Sequence, residues 1–311
     1  MILISGCIQD NTSTPPDNKT VPHLERWGIY ALDLASEDVE LIYSSSEKIT
    51  TLRLNTNENL FVFSQKIDGE YDENEEICTL EIDGISFQRI TNNTFWDLYP
   101  TWSSDGTQIA FLSMRENDLD IYVIDADGSN EKKLYDSGSH DSDIHWEGDT
   151  IVFTSNSQIW SMKSNGTEPK QITDPPKAGQ WGNANLPFGD YDPRLSPDGA
   201  LIVFERLEND SSPHGNYNLF ITNHNGTGET RLTNTGYSQG IASWSYSGDK
   251  IVYIVGAING EGKYDIFIIN SDGTNNQNIT PDYFPDAFLC HFAVFSSDDS
   301  KIFFIGEWWE Q

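Results

Sequence analysis

The first residue whose chemistry stands out is Cys7, in the run Ile4-Ser5-Gly6-Cys7 close behind Met1. An apolar residue and two small ones ahead of a cysteine form a lipobox-like pattern. Small residues suit a peptidase that threads extended backbone, and the thiolate is the natural nucleophile for attaching a lipid. The run Gln9 to Pro22 that follows is polar, proline-containing and without periodicity, as a flexible tether is. Cys7 is therefore expected to be the lipidated first residue of a mature chain, held outside the cytoplasm at the periplasm or cell surface. An apolar signal core spans about 7 to 15 residues behind a basic start. Only Met1 to Ile4 stand in that place, without Lys or Arg, so the native start is expected upstream of Met1. One saturated chain would anchor marginally, at about 0.8 kcal/mol per buried methylene, and a two-chain lipid firmly.

A second group of residues recurs just ahead of apolar runs. It comprises Trp96, Asp97 and Tyr99; His140, Asp141 and Asp143; Asp190, Tyr191 and Asp192; Tyr237 and Gln239; and Tyr283, Asp286 and His291. Carboxylates and imidazoles beside aromatic rings could coordinate a hard cation such as Ca2+ through oxygen. They could equally grip a sugar or peptide between ring faces and hydrogen bonds. The plainer account is that Asp caps a turn and Trp or Tyr fills space between elements. The ligand-binding expectation rests on Asp97, Tyr99, His140, Asp143, Asp190, Asp192, Asp286 and His291.

Hydrolytic machinery is not visible. There is no His-Glu-x-x-His, and the six histidines lack zinc-ligand spacing. Paired carboxylates for glycoside chemistry remain open, because loops could bring two distant ones together. The three cysteines, Cys7, Cys78 and Cys290, are too scattered for a disulfide framework. With 49 acidic against 18 basic side chains the chain carries a formal charge of −31, which repels nucleic acid. No stretch approaches the roughly 20 apolar residues of a membrane-crossing helix.

The elements that would position these residues come from an internal repeat. Tyr99 to Asp136 is its clearest copy: an apolar run, a Ser-Asp-Gly turn, two further apolar runs, an Asp-Gly turn and a short last strand. Further copies span Asp192 to Asn234 and Ala242 to Pro281, with weaker ones at Ile144 to Asp174 and Leu52 to Asn92. The second strand is counted six times, about every 40 to 50 residues, the period of a four-stranded propeller blade. The chain opens with a third and fourth strand (GIYALDLA, VELIYS) and closes with a first and second (HFAVFSS, KIFFIGEWW). These halves complete each other, predicting an all-β, six-bladed propeller over 25–311, its ring closed by N-terminal strands, behind a signal and tether over 1–24.

The phrase Trp102-Ser103-Ser104-Asp105-Gly106 resembles the WD40-like repeat with the signature Pro-x-Trp-Ser-Pro-Asp-Gly, found in TolB-like propellers. The same repeat also builds the propellers of tricorn-like and prolyl-oligopeptidase-like peptidases. The resemblance implies a protein-interaction platform at the cell envelope. Its partner would be a protein or glycan, and it would touch the membrane through its lipid anchor only. The runner-up expectation is a propeller enzyme, a polysaccharide lyase or glycoside-active protein, working through the central channel. Function is expected on the face of the variable loops 66–75, 175–189, 207–217 and 256–264, at the channel mouth.

Overall fold

The computed structural model describes residues 19–55, 57, 59–67, 75–116, 118–209, 215–256 and 264–309. Cys7, most of the loops 66–75 and 256–264, and the middle of 207–217 lie outside them. Within them, twenty-four strands, β1 to β24 in chain order, form six four-stranded antiparallel sheets. The innermost strands are β3 (Ile49–Asn55), β7 (Asp97–Trp102), β11 (Asp141–Glu147), β15 (Gly189–Leu195), β19 (Ser238–Trp244) and β23 (Phe288–Phe295). Each touches the next, and β23 touches β3, so the blades form a closed ring around a channel.

The last blade is assembled from both ends of the chain. Its order is β2 (Val39–Ser45), β1 (Trp27–Asp33), β24 (Lys301–Trp308), β23, and β1 pairs with β24 without a break from Trp27 opposite Glu307 to Asp33 opposite Lys301. The N-terminal segment thus supplies the third and fourth strands, and no inner sheet edge is left to template pairing. Residues 19–24, which the sequence assigns to the tether, pack on this blade. Val21 is buried among Tyr30, Phe284 and Phe304, Tyr30 Oη donates to Pro22 O (3.1 Å), and His23 stacks on Trp308.

Blade faces are covered on both sides, which is why the second strands read as continuous apolar runs. In β8 (Gln108–Met114) the five residues IAFLS are all buried. The two turns of the signature have local causes. Asp105 accepts from Ser103 Oγ (2.7 Å) and Thr107 N (3.0 Å), while Gly106 takes the left-handed φ of 73° that the turn requires. Asp198 and Asp298 close the equivalent turns in the same way. At the repeat's end a threonine hydroxyl accepts from the third strand: Thr91 from Ile77 N, Thr173 from Ile159 N, Thr233 from Leu219 N and Thr280 from Ile266 N, at 2.8–3.0 Å.

Every inner strand also carries a bulge. Between Thr50 and Arg53, Leu98 and Thr101, Ser142 and His145, Tyr191 and Arg194, Gly240 and Ser243, and His291 and Val294, two residues face one on the partner strand. The first bulged residue is left-handed in all six blades: Thr51, Tyr99, Asp143, Asp192, Ile241 and Phe292. The second needs no ladder N–H, which explains why proline is tolerated there as Pro100 and Pro193.

The threonine latch gives a stability test. Thr233→Val keeps the shape but leaves the buried Leu219 N–H without its hydroxyl, and should lower unfolding free energy by about 1–3 kcal/mol in urea titration.

Candidate functional site: the central channel

The bulge aims one side chain per blade toward the axis, and the next inward residue follows two positions on. The first layer is Thr51, Tyr99, Asp143, Asp192, Ile241 and Phe292; the second is Arg53, Thr101, His145, Arg194, Ser243 and Val294. Of the eight residues expected at the channel mouth, Tyr99, Asp143 and Asp192 meet in this channel. Asp192 N lies 3.4 Å from Asp143 Oδ2, and burial followed by the Asp143 and Asp192 charges pushes the Tyr99 hydroxyl up.

The other five are engaged elsewhere. Asp97 is fully buried, accepting from Ser113 Oγ (2.5 Å) and Asn93 Nδ2 (2.7 Å) beside Arg115. Asp190 is also buried and takes a two-pronged contact from Arg206, at 2.5 and 2.9 Å. Both carboxylates are held between neighbouring strands and present no oxygen to the channel. His140 borders a groove on the loop face and accepts the Leu119 N–H at Nδ1 (3.1 Å). His291 lies between the Trp27 and Tyr264 rings with Nε2 3.4 Å from Glu307. Asp286 is exposed on the link ahead of β23.

Four channel residues were not singled out from sequence: Arg53, His145, Arg194 and Glu205. Arg194 donates to Asp192 Oδ1 and, through Nη1, to Pro193 O (2.7 Å). His145 accepts the Leu195 N–H at Nδ1 (3.1 Å), so its proton sits on Nε2. Burial, and then the two arginines, push this imidazole well below its ordinary range, keeping it neutral. Glu205, from β16 (Leu201–Asn209), reaches beneath the next blade, where a Cβ on Gly240 would fall inside its carboxylate. Burial, then repulsion from Asp192 and Asp143, pushes Glu205 well above the usual carboxylate range, and Asp143 is raised by burial and by Asp192. A signal existed for three of the four: Arg53, His145 and Arg194, like Thr101, Ser243 and Val294, occupy the variable second place of the Pro-x-Trp-Ser phrase, whereas Glu205 lies in a second strand.

A Ca2+ site is a separate question. Among the described residues, three carboxylates converge within 4.8 Å at Glu116, Asp120 and Asp136, away from the expected ring. Lys133 Nζ already occupies that cluster, at 3.1, 2.8 and 3.3 Å from the three.

A closed ring of six four-stranded blades defines the class of six-bladed β-propellers. The chain matches the TolB β-propeller domain family, PD40, over residues 24–210, and belongs to it. It is 27% identical over 165 residues to an uncharacterised protein, Atu1656, of Agrobacterium fabrum, covering 49% of this chain and 53% of that one. Over 107 residues it is 29% identical to the Tol-Pal system protein TolB of Desulfosudis oleivorans, covering 33% of this chain and 24% of that one. The chain therefore matches about half the length of the first relative and a quarter of the second. Among solved structures, a putative TolB from Agrobacterium tumefaciens superposes with a TM-score of 0.68 at 14% identity, over 92% of this chain and 99% of that one. TolB from Acinetobacter baumannii gives 0.62 at 19%, over 81% and 63%. An oligogalacturonate lyase in complex with manganese gives 0.58 at 10%, over 91% and 83%. These structural likenesses show the fold.

Two outcomes test the site's electrostatics. Between an unfolded carboxyl pKa of about 4.3 and its raised folded value, the native state keeps a proton on Glu205 that the unfolded chain has lost. Stability should therefore fall as pH rises through that window, and Glu205→Gln should flatten the fall in denaturation curves taken across pH. Gly240→Ala should destabilise by about 1–3 kcal/mol through overpacking, with most of the loss recovered in the Gly240→Ala/Glu205→Ala pair.

Proposed function

We propose that this propeller is a binding platform of the cell envelope, held to a membrane through a lipid on Cys7 and receiving a protein partner on its loop face. One observation carries the reading. Between the third and fourth blades, on that face, lies a groove of about 800 Å³ bordered by His140, Trp181, Leu186 and Tyr191. Trp181 is 71% exposed and Leu186 45%. Large side chains left in water beside a recess are the kind of anchor that partners bury. Membership in the TolB propeller family supports an extracytoplasmic, Tol-Pal-related role, since a relative bears that system's name. A glycan is the other ligand such an aromatic groove would suit. The alternative, a polysaccharide-active propeller enzyme, draws on the fold shared with the lyase.

A photo-crosslinker placed at Trp181 in cells should trap one envelope protein, whereas one at Thr107 on the opposite face should not. Equal trapping from both positions, or turnover of an oligogalacturonate by the purified chain, would contradict the platform reading. Mass spectrometry of the native protein should find Cys7 as a two-chain lipidated N-terminus; an unmodified Cys7 would end the anchoring reading.

A further inference from the structure

The channel opens on the face opposite the groove as a recess of about 300 Å³, at the low end of ligand-sized cavities. Its floor is the second inward layer, one residue from each blade. Two of the six are arginines, and β3 and β15 stand three blades apart, so Arg53 and Arg194 enter from opposite sides. Arg53 is 7% exposed and Arg194 2%, and the Nε of each is buried with no hydrogen-bond partner. Among the described residues Arg53 makes no ion pair. Its one hydrogen bond is from Nη1 to its own neighbour, Leu52 O (2.8 Å).

A buried guanidinium with an unfilled N–H is costly unless something accepts from it. The rest of the wall supplies donors as well. The Trp102 indole N–H is buried without a partner, His145 presents Nε2–H, and Thr101 and Ser243 bring hydroxyls. The described wall contains one carboxylate, Glu147, which is already taken up by Ser104 Oγ (2.9 Å). In a molecule of net charge −31, this recess is lined for an anion. A carboxylate suits guanidiniums brought in from opposite blades, since the two groups pair through charge-assisted hydrogen bonds; Arg194 already gives its terminal nitrogens to Asp192 and Pro193, which leaves its Nε, while Arg53 keeps most of its fork.

We propose that this recess binds a ligand through a carboxylate group, received by Arg53 and Arg194 from opposite blades. The carboxylate belongs either to a small organic acid or to the free C-terminus of a peptide. Trp102, Trp146 and Trp244 wall the recess and give a built-in fluorescence readout. The site lies across the ring from the partner groove and stands or falls independently of the envelope reading.

The test titrates the full chain with succinate, citrate, a tripeptide with a free C-terminus, the same tripeptide amidated, and inorganic phosphate, followed by calorimetry and tryptophan fluorescence. The expected result is saturable binding of at least one carboxylate, weakened about tenfold or more by Arg53→Gln. Succinate or citrate binding without the tripeptide would identify a small acid; tripeptide binding lost on amidation would identify a chain end. Ser243→Glu, which adds a charge at the pocket floor without removing an arginine, should abolish binding and keeps the test decisive if Arg53→Gln fails to fold. No binding of any carboxylate at millimolar concentration, phosphate binding as tight as the best carboxylate, or binding indifferent to both variants would overturn the proposal.

Discussion

The interior of this protein depends on a bulge made six times. In each inner strand one residue takes a left-handed backbone angle, and none of the six is glycine. Such a conformation costs on the order of 1–3 kcal/mol and persists only where the surroundings enforce it. For Thr51 and Ile241, β-branched at the backbone, and for the bulky Tyr99 and Phe292, it is a marked departure from preference. What enforces it is the second bulged residue. Leu52, Ile144, Ala242 and Ala293 are buried between the blades, so the extra residue lets one side chain enter the core while its neighbour turns to the axis.

That arrangement decides where charge can be placed. A regular strand would send alternate residues to its two faces, both of which are packed in a blade. The bulge opens a third direction, and the polar groups of the channel lie along it: Asp143 and Asp192 in one layer, Arg53, His145 and Arg194 in the next. Neighbouring strands complete the set, with Glu205 admitted beneath Gly240. Carboxylates crowded by burial and by each other favour their protonated forms. Arg194 is paired with Asp192, whereas Arg53 has no ion-pair partner among the described residues. The balance explains how a strongly acidic chain can hold a cationic recess on its axis.

Much of this was legible in the residues. The Ser-x-Asp-Gly and Asp-Gly turns, the apolar second strands and the complementary half-units at the two ends lead to six blades and to β1 lying between β24 and β2. Local chemistry fixes each of those features, and local chemistry is what a sequence displays. Asp97 and Asp190 were harder to read. Their partners, Arg115 and Arg206, lie 18 and 16 residues on, across a hairpin, and register decides that they meet. Arg53 and Arg194 were harder still, since they line one recess from opposite blades only after the ring has closed. Their place in the repeated phrase was visible, but its meaning required the bulge.

The groove beside Trp181 and the recess above Arg53 lie on opposite faces of one closed ring, and the inner strands are the material between them. The account centres on the claim that ligand is received on the axis, by groups the bulges present. Hydrogen exchange along β3 and β15, measured with and without a saturating carboxylate, addresses this most directly. Protection concentrated at Arg53 to Asn55 and at Arg194 to Leu195 is the predicted result. Protection confined to the outer strands, or exchange unchanged throughout the inner ones, would contradict it.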